Sequence, residues 1–410
     1  MSLDTKGERT RAALVDAAIG VAACEGLAAL SYRKVASMAG VSLALVNYHF
    51  PVKSELIASL SGAILDQYSR SIERVIRHID SGVSTTLENV SSRLLGNATM
   101  RDQERTLVWA EICLEAARQP ESLTLSRMWD SELQRLWTKV ARATGHDACA
   151  LSIRTETDLL TGMIFVCLAL QIDGASVVDV LGGAAPVDPD VAPPASVPNL
   201  ATRQASRKSI KTSARIIDAA IDILKEQGAS GISFRTIADR AGLSLTAPSY
   251  HFKSIADLLS QAQITMIERS KERYREVMKL ADRNTLSETL LVDLTTTIFV
   301  REATQSASDN LAFFTSWLDS ARQSELRPVI RSFVENQILA WQRVLPDTHD
   351  SATTKRSGLL SLSLFLGKLI RVISTGSATS DLVTIRDEFL YAFRVLHPAL
   401  PCKKATIPWA

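Results

Sequence analysis

Apolar residues recur at three- and four-residue intervals over positions 9–24, 54–79, 105–118, 123–144 and 152–171, and again in counterpart segments of the second half. That spacing gathers one stripe of each segment on a single helical face. Alternating β-branched runs with Asn-Gly turns, the mark of hairpin strands, are nearly absent. The pattern predicts an all-α protein. Near the start, Leu14, Ala17, Ala18, Val21 and Ala22 share one face, and Gly26 follows as a helix stop. Ser31 suits the N-cap of a second helix whose Val35, Ala36 and Ala39 allow close packing. Gly40 supplies a tight turn, and Ser42 caps a short third helix that closes on Tyr48, His49 and Phe50.

The same reading returns 202 positions later without a gap. SYRKVASMAGVSLALVNYHF at 31–50 becomes SFRTIADRAGLSLTAPSYHF at 233–252, and sixteen of forty-four positions are identical between 14–57 and 216–259. Gly228, Ser233, Ala238, Ala241, Gly242, Ser244, Tyr250, His251 and Phe252 repeat the signals of the first copy. Further on, EAARQ at 115–119 matches DSARQ at 319–323, and Trp137 matches Trp341, both at an offset of 204. A period of half the chain means a duplicated domain and excludes a short-period solenoid. Three helices with small residues at the crossing and a glycine at the turn form a helix-turn-helix, whose third helix can enter a major groove.

The run A-x-x-A-G-[VL]-S-x-x-x-x-x-Y-H-F, followed in the first copy by Lys53, Ser54, Glu55 and Leu56, resembles the DNA-binding head of the TetR family of bacterial transcriptional regulators. The resemblance covers about 45 residues in each copy. It implies DNA contacts at Arg33, Leu43, Ala44, Leu45, Asn47, Tyr48, His49 and Lys53, and in the second copy at Arg235, Leu245, Thr246, Ala247, Ser249, Tyr250 and His251. Arginine at 33 and 235 can fork onto a guanine edge or hold a phosphate. Phe50 and Phe252 read as core residues. The copies also differ: Ile255 stands where Lys53 does, and Pro248 replaces Val46 inside the recognition helix. Proline is harmless in a first turn but costs an N–H and restrains Ala247 if it lies deeper. The second head is therefore expected to bind more weakly or to read a different half-site.

Composition adds domain limits. Residues 182–205 hold five of thirteen prolines among Ala, Val and Gly, and predict an extended linker. The expected order is a first head (1–53), a first ligand and dimerisation body (54–181), the linker, a second head (206–255) and a second body (256–410). Net charge is +2, but Lys6, Arg9 and Arg11, and Arg203, Arg207, Lys208, Lys211 and Arg215, precede the two heads as basic arms or as plain solvated termini. No apolar run reaches membrane-spanning length, the most apolar being 159–172, and the start of the chain is polar. Five cysteines without CxxC spacing fit a reduced compartment, so a bacterial cytoplasmic location is expected.

Family resemblance further implies homodimeric pairing through the last helices, on a pseudo-palindromic duplex operator, with release by a small apolar or amphipathic effector. With two heads in one chain, the preferred arrangement is an intramolecular pseudo-dimer, in which 152–171 packs on 355–375 with help from 381–397; pairing of each half with its equivalent in another chain is the alternative. Gly162 and Gly367 would permit close approach. Trp109, Trp129 and Trp137, and Phe313, Trp317 and Trp341, are candidate ligand walls, although aromatic stripes more often form core. Glu111 and Glu115, or Asp319 and Arg322, could orient a ligand or be ordinary surface charges. Metal spacing, nucleophile elbow, Walker loop and dinucleotide fingerprint are all missing, so neither an enzyme nor a cofactor is expected. The expected function is a ligand-released repressor. The alternative is a regulator in which only the first head binds DNA and the second half is structural.

Overall fold

A computed structural model of the chain describes residues 6–118, 123–182, 207–228, 231–278, 287–345, 351–376 and 382–397, and the regular structure among the described residues is helical. The first half runs α1 (Lys6–Glu25), α2 (Tyr32–Ala39), α3 (Leu43–His49), α4 (Lys53–Asp80), α5 (Leu87–Thr99), α6 (Gln103–Ala116), α7 (Leu123–Ala143), α8 (Ala150–Leu170) and α9 (Val177–Gly182). The second runs α10 (Arg207–Gln227), α11 (Phe234–Ala241), α12 (Ala247–His251), α13 (Ile255–Met278), α14 (Glu288–Thr304), α15 (Ala307–Asp319), α16 (Arg327–Val344), α17 (Ser351–Thr375) and α18 (Ile385–Leu396). The same order of elements therefore occurs twice. The expected linker lies outside the described residues except for Gly182, which ends α9.

Each half leads with a helix of 20 or 21 residues and two short ones, packed on a long fourth. Leu14, Ala18, Val21 and Ala22 of α1 bury against Val35 and Ala36 of α2, Val46 of α3 and Leu56 and Leu60 of α4. Ile216, Ala220 and Ile223 repeat this with Ile237, Ala238 and Leu258. Phe50 and Phe252 are core residues, as the pattern predicts. Gly40 and Gly242 end α2 and α11 at φ 65° and 61°, a left-handed conformation that a Cβ would strain.

The halves meet where α8 crosses α17. A Cβ on Gly162 would sit 1.8 Å from the Ser363 carbonyl oxygen, and one on Gly367 would sit 1.7 Å from that of Asp158. Backbone touches backbone, so only glycine fits at either point. The two contacts are mirror statements of one another at an offset of 205, the offset that also relates the left-handed caps Gln171 (φ 55°) and Gly376 (φ 58°). One local two-fold relation thus governs the crossing. Around it, Phe165, Val166, Leu170, Leu362, Leu366, Leu369 and Ile370 are buried. Among the described residues one segment, Lys355–Thr375, is apolar and long enough to cross a membrane by composition, and 89% of it is buried within the protein.

Candidate nucleic-acid interface and adjoining chamber

In the first head, Ser31 Oγ accepts from Lys34 N at 3.5 Å and Ser42 Oγ accepts from Leu45 N at 3.3 Å, so each serine starts its helix. Lys34 reaches back to Glu25 (2.7 Å) and to the Ala29 carbonyl (3.0 Å), tying α2 to the end of α1. Arg11 donates to the His49 carbonyl (2.8 Å) and lies 4.3 Å above the Phe50 ring. It secures the end of α3, a structural task beyond that of a loose basic arm.

What the packing leaves outside is specific. Arg33, Leu43, Ala44, Asn47, Tyr48 and Lys53 are exposed, while Leu45 and His49 are half-buried beneath them. Tyr48 is 79% exposed, and Met38 on α2 is another large apolar side chain left exposed in this head. Tyr48 meets His49 edge-on, with ring centroids 5.2 Å apart. In the second head Arg235, Leu245, Thr246, Ser249 and Tyr250 are exposed, and Ala247 and His251 are half-buried. Tyr250, 87% exposed, meets His251 in the same edge-on geometry at 5.5 Å. Among the described residues the other Phe, Tyr and Trp rings are buried or half-buried, and one tyrosine is left bare at the same place in each copy.

The second tip departs from the sequence expectation. Pro248 sits at the second position of α12, which is five residues long against seven in α3. Had the helix begun at Leu245, proline would fall where its N–H is needed for the 244 carbonyl; starting later places it among donors that have no helical partner anyway. Thr246 therefore stands at the N-cap without a side-chain capping bond, and Ser244 is not the cap that the repeat predicts. Ile255 opens α13 where Lys53 opens α4. Of the arm residues, Arg203 lies outside the described residues, and Arg215 donates to the Ala241 carbonyl at 2.6 Å.

Above the first head, α4, α5, α6, α7 and α8 enclose a chamber of about 740 Å³, mouth included. Trp109, Trp129 and Trp137 line it with Tyr68, Leu94, Leu160 and Ile164, and Gln67, Asn97, Asp102 and Arg105 add polar groups. Trp129 Nε1 donates to Ser61 Oγ (2.8 Å) and Trp137 Nε1 to the Tyr68 hydroxyl (3.0 Å), which fixes both rings. Burial pushes the Tyr68 phenol upward, so it stays a neutral hydroxyl. Trp109 Nε1 is buried without a hydrogen-bond partner. Tyr68, Asn97 and Asp102 had no signal in the sequence beyond helical texture, because they converge from three separate helices.

Among the described residues, the second body packs aromatic rings at the positions that match Trp109 and its neighbours. Phe313 and Trp317 are fully buried and pack on one another (5.4 Å), on Phe314 and on Phe333 (5.0 and 5.9 Å). Trp341 is half-buried against Phe365 and Phe393. Phe313 and Trp317 are packed in the core of the second body, Trp341 lies at its edge, and none of the three lines the chamber of the first body. Side-chain size differs at matched positions: Phe314 and Trp317 stand at an offset of 204 from Ala110 and Cys113, and Cys113 borders a second hollow that shares Trp109 and Trp129 with the chamber.

Glu111, Glu115, Asp319 and Arg322 are also relocated: none lines the chamber, and all lie where the halves meet. Arg322 of the second half donates to the Ala22 and Ala23 carbonyls at the end of α1 (both 2.8 Å) and pairs with Glu111 at 2.5 Å. Glu111 in turn accepts from Leu27 N at 2.6 Å. A guanidinium there supplies a donor to the Ala23 carbonyl in the last turn of α1 and a second donor to that of Ala22, which also accepts from Gly26 N at 2.9 Å. Reciprocally, Arg118 of the first half lies 3.6 Å from the Cβ direction of Gly228, at the end of α10. It pairs with Glu115 (2.9 Å) and donates to Thr315 (3.0 Å), but its buried Nε has no partner. Each body thus reaches across to the other half's head.

The signature of "Bacterial regulatory proteins, tetR family" matches residues 14–60 and 216–262, the two heads. The HTH-type nicotine-responsive transcriptional repressor HdnoR of Paenarthrobacter nicotinovorans is 32% identical over 136 residues, which span 32% of this chain and 69% of that protein. This chain belongs to the TetR family. Two solved structures also match: the transcriptional regulator SCO7518 of Streptomyces coelicolor A3(2) (19% identity, 46% of this chain and 98% of that one, TM-score 0.35) and the multidrug binding protein EbrR complexed with imidazole (23% identity, 47% and 97%, TM-score 0.35). As a TetR-family regulator the chain is a tandem one, carrying the family's head twice.

Proposed function

We propose that this TetR-family protein represses transcription by setting both heads on one duplex operator as an intramolecular pseudo-dimer, and that an effector in the first body releases it. The observation that carries this reading is the pair of bare tyrosine tips, one per head, each on the helix that follows an exposed arginine. Arg33 and Arg235 read or grip the duplex, Asn47, Thr246 and Ser249 offer base contacts, and Leu43, Ala44, Leu45, Leu245 and Ala247 offer apolar contact to thymine methyls. Tyr48, His49, Tyr250, His251 and Lys53 hold the sugar-phosphate backbone. The domain limits 1–53, 54–181, 206–255 and 256–410 serve as the working division, although α4 and α13 run through the head boundaries as continuous helices.

The effector belongs in the tryptophan-lined chamber. Its lining favours a small planar aromatic molecule carrying one hydrogen-bond acceptor for Trp109 Nε1. The curated relative's name describes it as nicotine-responsive, and a heteroaromatic ring is a molecule of that class. α6 carries the response to both heads. Its chamber end holds Arg105, paired with Asp16 of α1 at 2.8 Å, and just beyond its far end Arg118 lies against Gly228 of the second head. A ligand that favours a displaced α6 shifts both heads away from the binding geometry.

The test is binding to an operator fragment selected from bacterial DNA. Arg33→Ala should weaken it about 5- to 150-fold, the range for one bidentate base contact of about 1–3 kcal/mol. Arg235→Ala should weaken it less, because α12 is short and Lys53 has no counterpart in sequence. Wild-type affinity in both variants would overturn the reading. A loss from Arg33→Ala alone would leave the second half as a structural module.

A further inference from the structure

The α8–α17 crossing is symmetric in its glycines and asymmetric in its charges. Asp158 of the first half, 1% exposed, accepts from Lys368 Nζ (2.7 Å) and from Arg371 Nε and Nη2 (2.7 and 3.2 Å) of the second. Glu388 on α18 holds the same two cations at 2.5 and 2.8 Å, and Lys368 also faces the Phe389 ring at 5.4 Å. Two buried carboxylates thus meet two buried cations, and the cluster is neutral. Applying the offset of 205 shows what each half lacks: Ser363 stands opposite Asp158, Met163 opposite Lys368, and Val166 opposite Arg371.

We infer that this surface accepts only the unlike half, and that it rejects a second copy of either half by leaving buried charge without a partner. Two first halves joined through α8 would bury two Asp158 carboxylates against methionine and valine. Arg154, the basic residue one turn away, is already held by Asp130 at 2.7 and 2.9 Å. Two second halves joined through α17 would each bring Lys368 and Arg371 against Glu388 alone, leaving one excess cation apiece beside Ser363. Breaking one side of a buried charge cluster is strongly unfavourable, whereas the complete cluster contributes little net stability. Its value is therefore discrimination against wrong partners. Ordinary members of a homodimerising family use one surface twice. Here the surface has become two complementary ones, and the glycine contacts, common to both halves, leave the choice to the charges. This rests on the unlike-half pairing proposed above and is independent of DNA or effector binding.

The experiment removes the tether, which would otherwise favour intramolecular pairing by effective concentration alone. A protease site is placed within residues 183–206 of the full chain, the folded protein is cut, and equal amounts of isotopically light and heavy cut protein are mixed. Low urea is raised until exchange is visible as pairs of one light and one heavy fragment by native mass spectrometry. Wild type should give only pairs of one N-terminal and one C-terminal fragment. The variant Asp158→Ser, Lys368→Met, Arg371→Val, Glu388→Gln equalises the two surfaces and should give like and unlike pairs together, approaching a 1:2:1 distribution. Like pairs from the wild type would overturn the charge-based choice. Free, unpaired halves would overturn the pairing itself. A four-site variant that stays wholly unlike-paired would assign the choice to something other than these charges.

Discussion

The two bodies began as one design and now differ in what fills them. In the first, Trp109, Trp129 and Trp137 line a chamber, and Cys113 borders an adjoining hollow that shares Trp109 and Trp129 with it. In the second, Phe314 and Trp317 occupy the positions matching Ala110 and Cys113 and close-pack with Phe313 and Phe333. The heads differ in the same sense. The first has a seven-residue recognition helix with a serine cap, and the second a five-residue one started around a proline. The clasp across the halves is also uneven, since Arg322 binds two carbonyls of α1 while Arg118 is spent on Glu115 and Thr315. Duplication inside one chain releases each copy from having to do everything. In the function proposed above, the first half is the sensor and stronger reader, and the second a partner that steadies it.

The largest test of that contrast is to hollow the solid half. Trp317→Ala should cost about 3–5 kcal/mol of stability, read as a lower denaturant midpoint, because the surrounding rings cannot collapse into the gap. The reverse change, Cys113→Trp, brings the filler into the first body. It should cost about 1–3 kcal/mol by overpacking and lower effector affinity more than tenfold in calorimetric titration, with operator binding kept. If either body tolerates the other's residue without loss, the difference in filling is incidental.

Next in size is the clasp. Arg322→Ala removes bonds from a charged donor to two buried carbonyls and leaves Glu111 without its partner, so a loss of about 1.5–3 kcal/mol is expected. Arg118→Ala should cost about 1 kcal/mol or less, since it makes no bond to the α10 carbonyls among those described. Equal losses in thermal melts would remove this asymmetry.

Pro248→Val is a smaller change and a gain. It restores the residue type of the first head, permits α12 to begin two residues earlier, and should raise operator affinity a few-fold through the second half-site alone. Half-site footprinting would show which head responds. An unchanged second half-site would mean that helix length does not limit that head.

The last test is a slope. Burial, together with the neighbouring Glu111, pushes the Asp319 carboxyl up to about 7 despite Arg322 beside it. The folded chain therefore holds this proton more tightly than the unfolded chain, whose aspartate titrates near 4. Its contribution is complete below about pH 4 and is lost as pH rises through 7. Asp319→Asn should flatten the decline of melting temperature between pH 5 and 7.5. An unchanged slope would mean that other groups carry it.

Local patterns along the chain were enough for the helical class, the duplication, the heads, their caps at Ser31, Ser42 and Ser233, and the two glycines at the crossing. All are encoded within a turn or two of sequence, or in the repeat itself. The chamber in one body and its loss in the other were not legible from the aromatic stripes, because side-chain volume acts only among neighbours brought from different helices. Pro248 was visible, but whether it broke α12 or moved its start depended on where the preceding turn could give. The cluster of Asp158, Lys368, Arg371 and Glu388 left one faint trace, two basic residues in the apolar run of α17. Only tertiary structure supplied its meaning: a buried charge is defined by what faces it, and the facing residue here lies some two hundred positions away along the chain.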